Sequence, residues 1–140
     1  MAPAHLPGRR GVMVAAIAAL VAACAPSDEA PTVAAPPRPD ALVSPDEFAA
    51  LIEDDATFVV NVHTPFAGSI VGTDASIAFD ELRAREAELP GRGTTLAVYY
   101  RSGTMSAVAV RTLTGMGYDD VRELSGGMQA WSASGRTLDG

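Results

Sequence analysis

Lysine is absent from this 140-residue chain; all ten of its basic residues are arginine. Cysteine occurs once, as Cys24, and histidine twice, as His5 and His63. A single cysteine excludes an intramolecular disulfide. So few soft ligands also exclude a Cys/His metal cluster, and no acidic spacing suggests a carboxylate one, so no metal is expected. Positive charge is scarce where it would matter. From Cys24 onward eight arginines face all seventeen carboxylates. Such an acidic surface repels phosphates, which argues against nucleic acid as a partner and against electrostatic attachment to anionic lipid heads. Apolar residues make up 48% of the chain, enough for one packed core.

The chain opens with a segment unlike the rest. Arg9 and Arg10 precede an uncharged apolar run from Val12 to Ala23. That run is well short of the ~20 residues a spanning helix needs, and it fits the core of an export signal. It ends in Leu20-Val21-Ala22-Ala23-Cys24, which resembles a lipobox. Residues 1–23 are therefore expected to be a signal peptide, with Cys24 lipidated and anchored to the outer face of the cytoplasmic membrane. The alternative is an ordinary signal peptide cut after Ala25, leaving a secreted or periplasmic protein. Residues 24–41 are rich in proline and alanine and cannot bury enough apolar surface to order themselves, so they read as a tether.

Folded structure is expected from Leu42 to about Leu138. Ser44-Pro45-Asp46-Glu47 starts a helix, with Ser44 as N-cap, Pro45 at the first position and Glu47 closing a capping box. Thr57 to Val62 is a β-branched, mostly apolar strand, and Ser76-Ile77 a short one. Phe79, Leu82, Glu86 and Leu89 mark one face of a helix ending at Pro90. Leu96 to Tyr100 is the next strand. A loop from Arg101 leads into a helix with Met105, Val108, Ala109, Leu113 and Met116 as its buried stripe. Asp120 to Leu124 is a strand, and Gly126-Gly127 opens a last helix containing Trp131. Alternating strands and helices predict an α/β fold, a parallel sheet with helices on both faces. Ligands bind such sheets at the carboxyl ends of the strands, and the loop after Tyr100 is such a place.

Several segments together resemble a family. Val98-Tyr99-Tyr100-Arg101-Ser102-Gly103-Thr104-Met105-Ser106 is similar to the active-site loop of single-domain rhodaneses, usually Val-Tyr-Cys-Arg-Ser-Gly-x-x-Ser. Leu124-Ser125-Gly126-Gly127 followed by Trp131 resembles the family's Leu-x-Gly-Gly-x-x-x-Trp close. Asn61-Val62-His63 occupies the place of the family's Asp-Val-Arg, and Ile70-Val71-Gly72 through Ile77 resembles its Ile-Pro-Gly segment. The likeness runs over residues 42–138. It implies a rhodanese-type parallel sheet, no cofactor, and sulfur transfer through a cysteine persulfide held in a cradle of backbone N–H groups. By that resemblance Tyr100 stands at the nucleophile position.

A phenol cannot carry out the chemistry of a thiol. Its ionisation, with a pKa near 10 against about 8.5 for cysteine, is the smaller obstacle. The larger is that phenolate oxygen forms no stable persulfide equivalent, so no catalytic residue is expected. The expectation is an inactive rhodanese-like lipoprotein domain that binds a protein partner or a small anion through its anion-cradle loop, Tyr100 to Ser106. Asn61 and His63 would be pocket neighbours. The alternatives are a functional sulfurtransferase and a structural domain without ligand. At single positions, Tyr100 fills a degenerate pocket or contacts a partner. Arg101 faces an anion or pairs with a carboxylate of the domain. His63 is a hydrogen-bonded structural residue or a general base. Ser102, Thr104 and Ser106 bond an anion or cap the helix.

Overall fold

The computed structural model describes residues 41–140; the expected signal peptide, Cys24 and the expected tether up to Asp40 lie outside them. Among the described residues the strands are β1 (Leu42–Val43), β2 (Thr57–Asn61), β3 (Ala75–Ser76), β4 (Thr95–Tyr99) and β5 (Val121–Leu124). The α-helices are α1 (Pro45–Ile52), α2 (Thr104–Gly115) and α3 (Gly127–Ala133). The sheet order is β1-β5-β4-β2-β3 and every pairing is parallel. β4 is central, with Val60 opposite Val98 and Val98 opposite Glu123.

Alternation along the strands makes two cores. Val60, Leu96, Val98 and Val121 meet Ala109, Val110 and Leu113 of α2, joined by Val62, Ile77, Leu82 and Tyr118. Val59, Ala97, Tyr99 and Leu124 meet Phe48 of α1 and Met128 and Trp131 of α3. Helices thus cover both faces, as a buried parallel sheet requires. The Phe48 ring stands edge-on to Tyr99 and Trp131, with centroids 6.0 and 6.2 Å away. The start of α1 is as its sequence predicts: Ser44 Oγ accepts from the Glu47 N–H, and Glu47 reaches back to the Ser44 N–H at 2.8 Å.

Three expectations need correction. The segment from Phe79 to Leu89 is not an α-helix but a series of turns with a single 3-10 turn at Glu86–Glu88. Glu81, Glu88 and Leu89 bond the carbonyl three residues back, and Arg85 alone reaches four back. An isolated helix of this length is marginal, so tertiary bonds decide. Here Arg85 donates to the Ser76 carbonyl and to Glu81 and Glu88, drawing the turns against β3. In α2 the buried face is Ser106, Ala109, Val110 and Leu113; Met105, Val108 and Met116 are only half-buried. The apolar pattern missed Ser106 because its burial rests on a polar partner rather than on hydrophobicity. The short strand near Ile77 lies one residue earlier, at Ala75–Ser76.

Candidate functional site

Central β4 delivers Tyr99 to one face of the sheet and Tyr100 to the other. Tyr99 is fully buried, and its hydroxyl accepts from the Ile70 N–H at 3.0 Å. Thr73 Oγ1 donates to the Ile70 carbonyl and lies 2.7 Å from the same hydroxyl. Burial pushes the Tyr99 phenol above its usual range, against these hydrogen bonds. Tyr100 is half-buried and packs edge-to-face on His63 and Phe79, with centroids 4.6 and 6.2 Å away.

The loop that follows is pinned from below. Met128 N–H donates to the Tyr100 carbonyl at 2.8 Å and Gln129 N–H to the Arg101 carbonyl at 3.0 Å. This clasp requires glycine at position 127. Its φ is +59°, and an added Cβ would collide with the Tyr100 carbonyl oxygen and approach the Arg101 carbonyl carbon to 2.8 Å. Gly103 caps α2 in the left-handed region, φ +99°, with no side-chain hydrogen bond to the helix start. Neither Ser102 nor Thr104 serves as the cap. Among the described residues, no acceptor meets the N–H groups of Arg101, Ser102 and Gly103. They lie at the positive end of α2, a setting suited to negative charge.

The residues singled out in the sequence separate into two groups. Arg101, Ser102 and Thr104 are exposed, and Gly103 and Met105 half-buried. Among the described residues the Arg101 guanidinium meets no carboxylate, which leaves its anion-facing alternative open. Ser106 is turned inward. Its hydroxyl donates to the Gly103 carbonyl at 2.8 Å and also bonds Glu123 Oε1. Asn61 is buried on the Tyr99 side, donating to the Gly68 carbonyl and accepting from the His63 N–H, both at 3.0 Å.

His63 departs from expectation. Its backbone is held by Asn61, but its buried Nδ1 has no hydrogen-bond partner among the described residues. Burial and, secondarily, the charge of Arg101 hold its pKa below the ordinary histidine range, so the ring is neutral at physiological pH. Its fixed contact is the Tyr100 ring. Sequence reasoning missed Phe79 as a neighbour of Tyr100, and it missed Glu123. The available signal for the latter was its place two residues after Val121, on the same face of the strand Val121–Leu124.

A cavity of about 310 Å³ adjoins the loop, lined by Ala67, Arg101, Met128, Gln129, Ser132 and Leu138. No group of three or more His, Cys, Asp or Glu side chains converges among the described residues.

The rhodanese-like domain profile matches residues 44–134. No curated protein matches the sequence. Solved structures do. A rhodanese-related protein of Thermoplasma volcanium is 29% identical with a TM-score of 0.59, over 69% of this chain and 94% of its own. The solution structure of a rhodanese-like domain from Anabaena sp. is 25% identical with a TM-score of 0.63, over 71% of this chain and 79% of its own. A Rhodopseudomonas palustris protein described as a possible tyrosine phosphatase shares the fold, with a TM-score of 0.58 at 20% identity over 70% of this chain and 83% of its own. With its parallel sheet, its Gly-Gly clasp and a profile match from Ser44 through Ser134, the chain belongs to the rhodanese-like family.

Proposed function

We propose that this domain is a non-catalytic binding module of the rhodanese-like family, anchored through lipidated Cys24 at the outer face of the cytoplasmic membrane. It takes a small anion or a protein partner at the loop from Tyr100 to Ser106. In this proposal Tyr100 stands where sulfur-transferring relatives carry cysteine. The observation that carries it is the arrangement at the end of β4. The Tyr100 ring packs on His63 and Phe79, while Arg101 beside it has no carboxylate partner among the described residues.

The chemistry supports the same reading. Sulfur transfer needs a group that forms and releases a sulfur–sulfur bond, and no cysteine occurs after residue 24. A phenol offers no such bond. The loop keeps what an anion requires: N–H groups of Arg101 to Gly103 without acceptors among the described residues, the start of α2, and a guanidinium whose planar fork suits oxyanions.

The test compares thiosulfate:cyanide sulfurtransferase activity of the unmodified protein with that of Tyr100→Cys. The expected result is no turnover in the parent and measurable turnover in the variant. Activity in the parent would overturn the proposal. Inactivity of a folded Tyr100→Cys protein would show that the cradle, and not only the nucleophile, is gone.

A further inference from the structure

Three cavities lined by described residues are comparable in size and differ in charge. One, of about 280 Å³, runs along Ser69 to Ser76 and carries the carboxylates of Asp74 and Asp139. A second, about 390 Å³, lies by Trp131 and contains Glu53 and Arg136. That arginine is already engaged. It stacks on the Trp131 ring at 5.0 Å and bonds Asp46 at 2.7 Å and Ser134 at 2.8 Å. The third, about 310 Å³, is the one beside the loop, and it alone of the three has a cationic side chain and no carboxylate in its wall.

The third wall is also divided by chemistry. Arg101 supplies a charge with no ionic partner among the described residues. Gln129 and Ser132 supply neutral hydrogen-bonding groups, and Ala67, Met128 and Leu138 supply apolar surface. An inorganic oxyanion would use the guanidinium and leave the apolar surface wet. Small-molecule sites combine an apolar lining with a few placed polar groups, and this volume is at the low end of their range. In a chain of formal net charge −7, an uncompensated arginine at an apolar cavity selects for negative charge locally against the surrounding field.

We infer that this cavity binds a small organic anion, a carboxylate or sulfonate with an apolar body. The charged end pairs with Arg101, and the body lies against Met128, Leu138 and Ala67. The inference rests on the anion-binding reading of the loop and deepens it. It adds a ligand class and extends the site from the loop onto α3 and the Leu138 segment. Met128 and Gln129 link the two parts, because their N–H groups hold the carbonyls of Tyr100 and Arg101.

The experiment titrates the full chain by calorimetry with phenylacetate, its neutral analogue phenylacetamide, and inorganic thiosulfate. Resonances of the Met128 methyl group report where the probe sits. Phenylacetate is expected to bind, with the amide weaker by about tenfold or more, the worth of a charge-assisted hydrogen bond. Arg101→Gln should abolish the difference between acid and amide. Ser132→Leu, at an exposed position, should weaken phenylacetate by filling the cavity while leaving Arg101 in place; Ala67→Leu, at another exposed lining position, repeats this. Melting temperatures establish that each variant is folded.

Equal binding of acid and amide, or binding untouched by both cavity-filling variants, would overturn the inference. Thiosulfate binding that depends on Arg101, with phenylacetate no tighter than thiosulfate, would sink the organic-anion site and leave the loop reading standing. Absence of binding by every anion would remove both. Phenylacetate binding lost in Arg101→Gln and in the cavity-filling variants, without thiosulfate binding, would support the organic site alone.

Discussion

Two adjacent tyrosines show how much a one-residue step along a strand decides. Tyr99 is sealed in the core with its hydroxyl tied to the Ile70 N–H. Tyr100 faces the other way, and its ring packs on His63 and Phe79. The phenolic oxygens should therefore matter unequally. Tyr99→Phe leaves a buried N–H unpaired and is expected to cost about 1–3 kcal/mol in urea unfolding. Tyr100→Phe keeps both ring contacts and should cost less than ~0.5 kcal/mol. Equal losses would mean that Tyr100 carries a hydrogen bond of comparable worth. Sequence pattern placed both tyrosines at the strand end, since a β-branched apolar run leading to a glycine turn is unambiguous. It could not assign their hydroxyl partners, because Ile70 and Thr73 lie in a loop far along the chain and arrive by tertiary folding.

Among the elements, α2 and β5 are joined by a polar contact inside an apolar layer. Glu123 and Ser106 are buried and bonded to each other, and Ser106 also donates to the Gly103 carbonyl. A hydroxyl has one hydrogen for two acceptors, so a protonated carboxyl satisfies this cluster better than a carboxylate. Burial accordingly raises the Glu123 pKa from 4.5, opposed by the Ser106 bond and by Arg111. The sign follows from linkage. A raised folded-state value contributes stability fully present below the unfolded pKa and lost as pH rises through the folded one. Glu123→Gln, which keeps a donor and carries no charge, should stabilise the protein at pH 7 by on the order of 1 kcal/mol. The gain should vanish below about pH 4.5, the unfolded value. Paired thermal melts at the two pH values check this; a gain that persists in acid would point to packing instead of charge.

The same scale shows what the sequence made legible. The capped start of α1, the central strands and the turn into α3 follow from local signals that agree with their tertiary setting. β1 escaped notice because two residues, Leu42 and Val43, carry no period. The turns from Phe79 to Leu89 were misread because spacing alone cannot show Arg85 bonding back to Ser76. In the candidate site, loop residues were legible by their order, whereas Glu123, Phe79 and the Leu138 wall are contributed by distant segments.

For the whole molecule, the proposed anchorage makes Cys24 the decisive atom of attachment. Metabolic labelling with an alkyne fatty acid should mark the parent chain and not Cys24→Ser, and the variant should shift from the membrane fraction to the soluble one. Labelling that survives the substitution, or an unchanged fractionation, would move the protein off the proposed tether.

Anchored proteins are concentrated in two dimensions, where any tendency to join edge to edge is amplified. The order β1-β5-β4-β2-β3 puts the two shortest strands, of two residues each, at the margins of the sheet. Short margins offer few free ladder groups to a neighbouring copy. The longest ladder, β2 against β4, is flanked on both sides within the same chain. Crowding on a surface would therefore raise the density of loops available to ligand without seeding a shared sheet.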